Sequence, residues 1–503
     1  MSALAAPFKP RPAVSSESRD AAVIDVGSNS VRLVIYRLEG RAIWTVFNEK
    51  VLAGLGSDLG DTGRLSPRGV QTALAALRRF NALLGAIQPA EVFTAATAAV
   101  RDASDGADFV RRVQAEAGLT LRVLSGAEEA HYAALGVLAG APDAQGVVGD
   151  LGGASLELTQ LDELGPGKGV SLPLGPFSMR GKESDIRKAV GAQIGAVAHT
   201  FKADAFHAVG GGWRNLALLH MRMCDYPLHV VHQYEMGRRE ALDAARVIAR
   251  LPKGSLEGIP GLSKKRVETL PHAAIVMEQL IERLDLQKVV LSAYGLREGL
   301  LFEAMPPGLR MRDPLLEGCA ALATRQGGDD GLGAALDDWL APVFGALKPV
   351  FGEREDVLRG AACRMADLGA RLHPDHRADL AFEQVLRAPI GGQTHAERAF
   401  LAVAAFARHA SSANFPEPVT VARLLGNDRV RRARALGAGV RLGCDLSGRS
   451  AALLEHAHLE ARDGRLLLAT AQGWGDMLLG EQTEKRAQTL AGLLGLTLEL
   501  VRN

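Results

Sequence analysis

Ala22-Val23-Ile24-Asp25-Val26-Gly27-Ser28-Asn29-Ser30-Val31-Arg32-Leu33-Val34-Ile35 and Val147-Val148-Gly149-Asp150-Leu151-Gly152-Gly153-Ala154-Ser155-Leu156-Glu157-Leu158 carry one pattern twice. In each, a strand ends in Asp, a turn follows with Gly two residues on and Ser five residues on, and a second strand begins. β-branched flanks around Gly/Asn/Ser turns predict two hairpins. An Asp at a strand end beside exposed turn amides can hold a metal or water while the amides hold a phosphate. Two such hairpins face to face would grip one phosphoryl group from both sides. Gly27 frees the first turn, and Ser28, Asn29 and Ser30 offer side-chain donors. In the second, Gly152, Gly153, Ala154 and Ser155 form the turn, and the strand period of two turns Asp150 and Glu157 towards it. Two carboxylates beside a phosphate pocket suit Mg²⁺, which prefers oxygen ligands and bridges phosphates.

Between the hairpins lies Leu124-Ser125-Gly126-Ala127-Glu128-Glu129-Ala130. Ser125 and Glu128 have the spacing of a capping box, which gives Glu128 a structural task. Glu129 is left over in the first helical turn and is a candidate base for activating water. Arg101, ending Thr97-Ala98-Ala99-Val100-Arg101, is a candidate phosphate clamp. Gly210-Gly211-Gly212 follows the strand expected at Ala205–Val209 and precedes a helix from Trp213, an order that aims amides at an anion. His373-Pro374-Asp375-His376 and Thr394-His395-Ala396-Glu397-Arg398 contain metal-type side chains, but Pro374 separates His373 from Asp375, which favours a structural or substrate-contact role.

These residues need a scaffold of strands and helices. Strands are expected at Ile43–Phe47, Glu91–Ala95, Leu121–Leu124 and Lys288–Ser292, with helices from Ser66-Pro67 and over Ala107–Ala117, an α/β alternation. Ser66 suits a helix cap and Pro67 the first helical position. From Asp313 to about Gly426 the periodicity is helical. A strand from Ala451 to Leu459, a turn at Arg462-Asp463-Gly464, a strand over Arg465–Ala469 and a helix through Glu484–Leu494 close the chain. The expected organisation is a disordered tail over 1–20, two duplicated α/β domains over 21–141 and 142–310, a helical domain over 311–435 and a small α+β domain over 436–503.

The 503 residues exceed what one core organises, and 47% hydrophobic with 23% charged residues is ordinary globular composition. A net charge of +1 advertises neither nucleic acid nor membrane binding. The clusters Lys264-Lys265-Arg266 and Arg431-Arg432 with Arg434 read as solvated faces. Cys224, Cys319, Cys363 and Cys444 have no zinc-type spacing and read as buried free thiols. No apolar run is long enough to span a bilayer, and the expected location is the cytoplasm.

With these residues in hand, the sequence resembles the exopolyphosphatase and guanosine pentaphosphate phosphohydrolase family of the actin-like ATPase superfamily. The matching segments are Ile24–Ser30, Ala96–Arg101, Ser125–Ala130, Asp150–Ser155, Val209-Gly210-Gly211 and Gly295-Leu296-Arg297-Glu298-Gly299, in family order. The resemblance implies two actin-like (ribonuclease H-like) domains, a degenerate His-Asp (HD-like) helical domain and an α+β tail. It implies a hydrolase of inorganic polyphosphate, acting as a homodimer, with Mg²⁺ or another divalent cation near Asp150, Glu157 and Asp25. The terminal phosphate would sit among Gly27, Ser28, Asn29, Ser30, Gly152, Gly153, Ala154, Ser155, Gly210 and Gly211, with Glu129 activating water and Arg101 assisting. Ala154 and Leu156 stand where the family has Gly and Thr, and Gly-Gly-Gly-Trp replaces its usual Gly-Gly-Thr.

Other readings share the hairpins. Guanosine pentaphosphate, or the related tetraphosphate, offers the same phosphate chemistry to the same site. An actin-like sugar kinase or ATPase would bind adenosine at the third glycine loop, and a sensor would bind without turnover. The long extension beyond residue 310 favours the polymer, which a nucleotide would not need.

Overall fold

The computed structural model describes residues 18–179, 181–252, 254, 268–328 and 330–503. Residues 1–17 of the expected tail, and the cluster Lys264-Lys265-Arg266, lie outside the described residues. The chain forms two compact units, Ser18–Met311 and Arg312–Asn503.

The first unit contains one strand arrangement twice. β1 (Arg19–Val26), β2 (Val31–Glu39), β3 (Ala42–Val51), β4 (Glu91–Ala96) and β5 (Arg122–Val123) form a sheet in the order β3-β2-β1-β4-β5. β6 (Gly146–Leu151), β7 (Leu156–Asp162), β8 (Gly165–Leu172), β9 (Ala205–Val209), β10 (Glu235–Gly237) and β11 (Lys288–Leu291) form a second, in the order β10-β11-β9-β6-β7-β8. Apart from β10 the two orders correspond. In each, a hairpin-linked antiparallel trio is extended by parallel strands reached through helical crossovers. β1 begins at Arg19, inside the span expected to be a tail. β8 was not expected, because Gly165-Pro166-Gly167-Lys168-Gly169 lacks strand formers; as an edge strand it tolerates the proline.

Alternation along β1 and β2 separates two faces. Ile24, Leu33 and Ile35 pack against Leu74, Leu77 and Phe80 of the helix Pro67–Ile87, with Phe109 and Val113 of the helix Gly106–Ala117. Pro67 occupies the first helical position, but Ser66 makes no side-chain capping bond. Val23, Val34 and Tyr36 point the other way, onto Tyr132 and Leu135 of the helix Gly126–Gly140 and Leu300 and Leu301 of the helix Leu296–Ala304. In the second sheet, Val148 and Leu161 meet Ala133, Ala134 and Val137 of that same helix Gly126–Gly140. One helix therefore lies between both sheets. It crosses the helix Leu296–Ala304 at backbone contact, since a Cβ on Gly136 would strike Gly295 and one on Gly299 would strike Tyr132.

The second unit packs helices Pro314–Thr324, Asp330–Phe344, Glu355–Arg364, Arg377–Arg387, His395–His409 and Asn427–Ser447, the last running across position 435. A three-stranded sheet, β12 (Ala457–Arg462), β13 (Arg465–Thr470) and β14 (Thr497–Val501), is completed by the helix Glu481–Leu494. Ala451–Leu454 is a helical turn capped by Ser450, not the start of a strand. Arg432 is no solvated residue: only 11% of its side chain is exposed, and it pairs with Glu355. His373 and Asp375 are exposed, 3.6 Å apart, whereas His395 is buried. Cys319, Cys363 and Cys444 are buried as expected, but Cys224 is exposed. Among the described residues no helix is long and apolar enough to cross a membrane.

Candidate active site

The two turns have the same backbone bonding. Gly27 N donates to Ser30 O at 3.0 Å, and Gly152 N to Ser155 O at 2.9 Å. Each turn is braced by the loop after its third strand. Gly54 N and Gly56 N donate to Asn29 O and Ser28 O at 3.0 and 2.8 Å, while Gly175 N and Phe177 N donate to Ala154 O and Gly153 O at 3.0 and 2.9 Å. The turns face one another, since a Cβ on Gly153 would stand 3.0 Å from the Cβ of Ser28. Ser28, Ala154 and Ser155 are buried there.

Register sets the charges. Asp25 is opposite Arg32 in the first hairpin, and Asp150 is opposite Glu157 in the second. Cross-strand partners share a face, so all four side chains project from the faces that hold the helix Gly126–Gly140 between them. Glu157 is only 3% exposed and accepts a 2.8 Å bond from Ser171 Oγ on β8. Gly210, at φ 115°, caps the helix Gly211–Met223, and a Cβ there would lie 3.2 Å from Asp150 Oδ1. The third glycine loop thus borders Asp150.

Glu129 enters from the first turn of the central helix. Ser125 and Glu128 form the capping box, with Glu128 Oε2 accepting from Ser125 N at 2.8 Å. Glu129 is 7% exposed and is not free, because Arg101 donates to its carboxylate. Arg101 also donates to Leu124 O at 3.0 Å and Asp102 Oδ1 at 3.0 Å. It therefore orients Glu129 rather than standing as an unattached phosphate clamp.

Burial, then the charge of Glu157, push the Glu129 carboxyl well above the usual range against the pull of Arg101. Burial also raises Glu157, with Asp150 adding to it against hydrogen bonds from Ser155 and Ser171. Asp150 is pushed up to about 6 by burial and then by repulsion from Asp25. Among the described residues neither Asp150 nor Glu157 forms an ion pair, while Arg101 serves Glu129 and Arg297 Nη1 holds Asp25 Oδ2 at 2.9 Å. An all-oxygen pair that resists carrying two bare charges fits a hard divalent cation. Asp25, the third residue of the expected metal set, carries the Arg297 ion pair on Oδ2. The cleft carboxylates do not converge as three donors within 4.8 Å; among the described residues, a group that does so lies elsewhere.

Sequence reasoning gave no role to Arg32, Tyr36, Ser171, Arg297 or Glu298. Glu298 accepts from Tyr36 OH at 2.6 Å and from Gly295 N at 2.9 Å, fastening the helix Leu296–Ala304 to β2 so that Arg297 reaches Asp25. The segment Gly295–Gly299 was recognised as a motif, and its adjacent Arg-Glu was the available signal.

The Ppx/GppA phosphatase family model matches residues 34–307, and the exopolyphosphatase C-terminal model matches 331–501. The crystal structure of the Aquifex aeolicus member of the Ppx/GppA family is 23% identical, with a TM-score of 0.50 over 56% of this chain and 96% of its own. An exopolyphosphatase-like protein solved by structural genomics is 22% identical, with a TM-score of 0.52 over 56% and 97%. An exopolyphosphatase from Cytophaga hutchinsonii is 21% identical, with a TM-score of 0.51 over 56% and 97%. These likenesses are of fold, the actin-like architecture that the paired sheets display. By the span of its family-model match, the chain belongs to the Ppx/GppA phosphatase family.

Proposed function

We propose that this protein is an exopolyphosphatase that releases orthophosphate from the end of inorganic polyphosphate. The observation that carries the reading is Glu129, a buried carboxylate oriented by Arg101 at the head of the helix between two facing phosphate-type turns. The terminal phosphate lies between the turns, against the amides and hydroxyls of Gly27–Ser30 and Gly152–Ser155 and the amides of Gly210 and Gly211. Asp150 and Glu157 would hold a divalent cation, and their oxygen donors suit Mg²⁺. When bound there, it would supply positive charge that offsets the phosphate and lowers the cost of ionising the two carboxylates.

Glu129 takes a proton from water as the water oxygen bonds to the terminal phosphorus. The bond from that phosphorus to the bridging oxygen breaks, and the shortened chain keeps the electron pair. Arg101 holds the Glu129 oxygen in line, and Arg32 and Arg297 lend positive charge to the first hairpin's side. Phosphoryl transfer needs this positioning and charge balance more than covalent catalysis.

Two observations favour the polymer over guanosine pentaphosphate. The second unit matches a model described as the exopolyphosphatase C-terminal domain. That unit also carries a cavity lined by Arg434, Arg441 and Arg486. Burial and then the Arg486 charge lower Arg441 to about 10, as expected where cations crowd faster than the nearby Asp445 can balance them. In this reading the HD-like helices bind polyanion, and the enzyme is a cytoplasmic homodimer. The test is phosphate release by the purified chain from long-chain polyphosphate and from guanosine pentaphosphate, with and without Mg²⁺. Mg²⁺-dependent release from the polymer is expected; turnover of the nucleotide alone would overturn the assignment.

A further inference from the structure

Outside the cleft, three side chains of metal-binding type converge in the first unit. His220 lies in the last turn of the helix Gly211–Met223, Cys224 caps that helix, and Glu240 lies in the first turn of the helix Arg238–Arg250. One donor atom from each falls within 4.8 Å of the others. We propose that His220, Cys224 and Glu240 form a binding site for a thiophilic divalent cation of the zinc class, separate from the hydrolytic centre.

The donor set decides the metal class. An imidazole nitrogen, a thiolate and a carboxylate oxygen suit Zn²⁺ in tetrahedral coordination, with water as the fourth ligand, and are poor ligands for Mg²⁺ or Ca²⁺. Thiolate and carboxylate together balance the two positive charges, and the thiol proton leaves to solvent on binding.

His220 and Glu240 are already held in place. His220 Nδ1 contacts Tyr234 OH at 2.8 Å, which fixes the ring and turns Nε2 towards Glu240 Oε1, 3.7 Å away. An outer partner on the second ring nitrogen is the usual support for a metal-bound histidine. Glu240 uses its other oxygen to accept from Gly237 N at 3.3 Å, so its carboxylate is held from behind. Cys224 Sγ stands 3.8 Å from the same Tyr234 hydroxyl and is solvent-accessible.

The site lies at the far end of the helix Gly211–Met223, whose capping residue Gly210 borders Asp150. At the α-helical rise, His220 is roughly 15 Å along the axis from Gly210. Metal there would pin the end of that helix to the start of the helix Arg238–Arg250 and fasten the connection between them.

Cobalt(II) is the probe, added to the full reduced chain with Mg²⁺ saturating the cleft carboxylates. We expect a thiolate-to-cobalt charge-transfer band and tetrahedral ligand-field bands that saturate at one equivalent, and their loss on adding Zn²⁺. Cys224→Ser should abolish the charge-transfer band, and Zn²⁺ should raise Tm in the parent chain but not in this variant. Tyr234→Phe should retain the band with about tenfold weaker affinity. No charge-transfer band, one that survives Cys224→Ser, or octahedral spectra would overturn the assignment. Hydrolysis of polyphosphate is not the readout, so failure here and failure of the proposed function are distinguishable.

Discussion

The Asp25 and Asp150 hairpins have the same turn, the same bracing loop and the same register, yet opposite charge across the strands. Asp25 faces Arg32, with Arg297 on its carboxylate, whereas Asp150 faces Glu157 with no ion pair for either among the described residues. Their bracing contacts are exchanged in volume as well. The first pairs Ser28 with Gly56 and the second pairs Gly153 with Phe177, each through one backbone bond. The two frames are alike, but with Arg297 added from the helix Leu296–Ala304 the side chains make the first site net cationic and leave the second anionic. A phosphate and its metal need those unlike neighbours.

The largest effect should come from Glu129, which belongs to neither hairpin. Glu129→Gln should lower turnover by about 10²–10⁴-fold while leaving polyphosphate binding nearly intact, measured by phosphate release and equilibrium binding. Unchanged turnover would leave the two hairpins as a clamp without a base.

The exchanged contacts predict the next effect. A Cβ on Gly153 would stand 2.9 Å from the Phe177 ring and 3.0 Å from Ser28, whereas one on Gly27 meets nothing nearer than Ser30 O at 3.4 Å. Gly153→Ala should therefore cost about 1–3 kcal/mol in denaturant unfolding, and Gly27→Ala within about 0.5 kcal/mol. Equal costs would mean that the Phe177 ring and Ser28 yield to the added methyl and that the close contact at Gly153 is not strained.

The smallest effect concerns the helix that presents Glu129. The Ser125 amide, followed by Arg122, holds Glu128 down to about 2 from an ordinary 4.5. A depressed carboxylate stabilises above its unfolded pKa, so this contribution is full above about 4.5 and fades as pH falls towards 2. Its side chain is 41% exposed, and Glu128→Gln should cost only about 0.5–1 kcal/mol near neutrality, with the difference vanishing in acid. A difference that persisted at pH 2 would assign the loss to something other than this charge.

The hairpins, the capping box and the glycine loop at Gly210 were legible because each is a short-range pattern. The Asp150–Glu157 pairing followed from strand period alone. The contrast with Asp25–Arg32 was present in the same spacing but needed the register to become visible. Arg297 reaches Asp25 across 272 residues, and Arg101 reaches Glu129 across 28; no local pattern announces either contact. β8 was hidden by its glycines and by a proline that an edge position tolerates, and Cys224 by the assumption that a cysteine outside any metal-type spacing is buried.

The asymmetry is tested most directly by titrating Mg²⁺ and polyphosphate against phosphate release for Glu157→Gln and Arg32→Gln side by side. Glu157→Gln should raise the Mg²⁺ needed for half-maximal rate by about tenfold or more with little change in KM for polyphosphate. Arg32→Gln should raise KM and leave the Mg²⁺ requirement unchanged. The same response from both variants, or the two responses reversed, would contradict the division of the cleft into a metal side and a phosphate side.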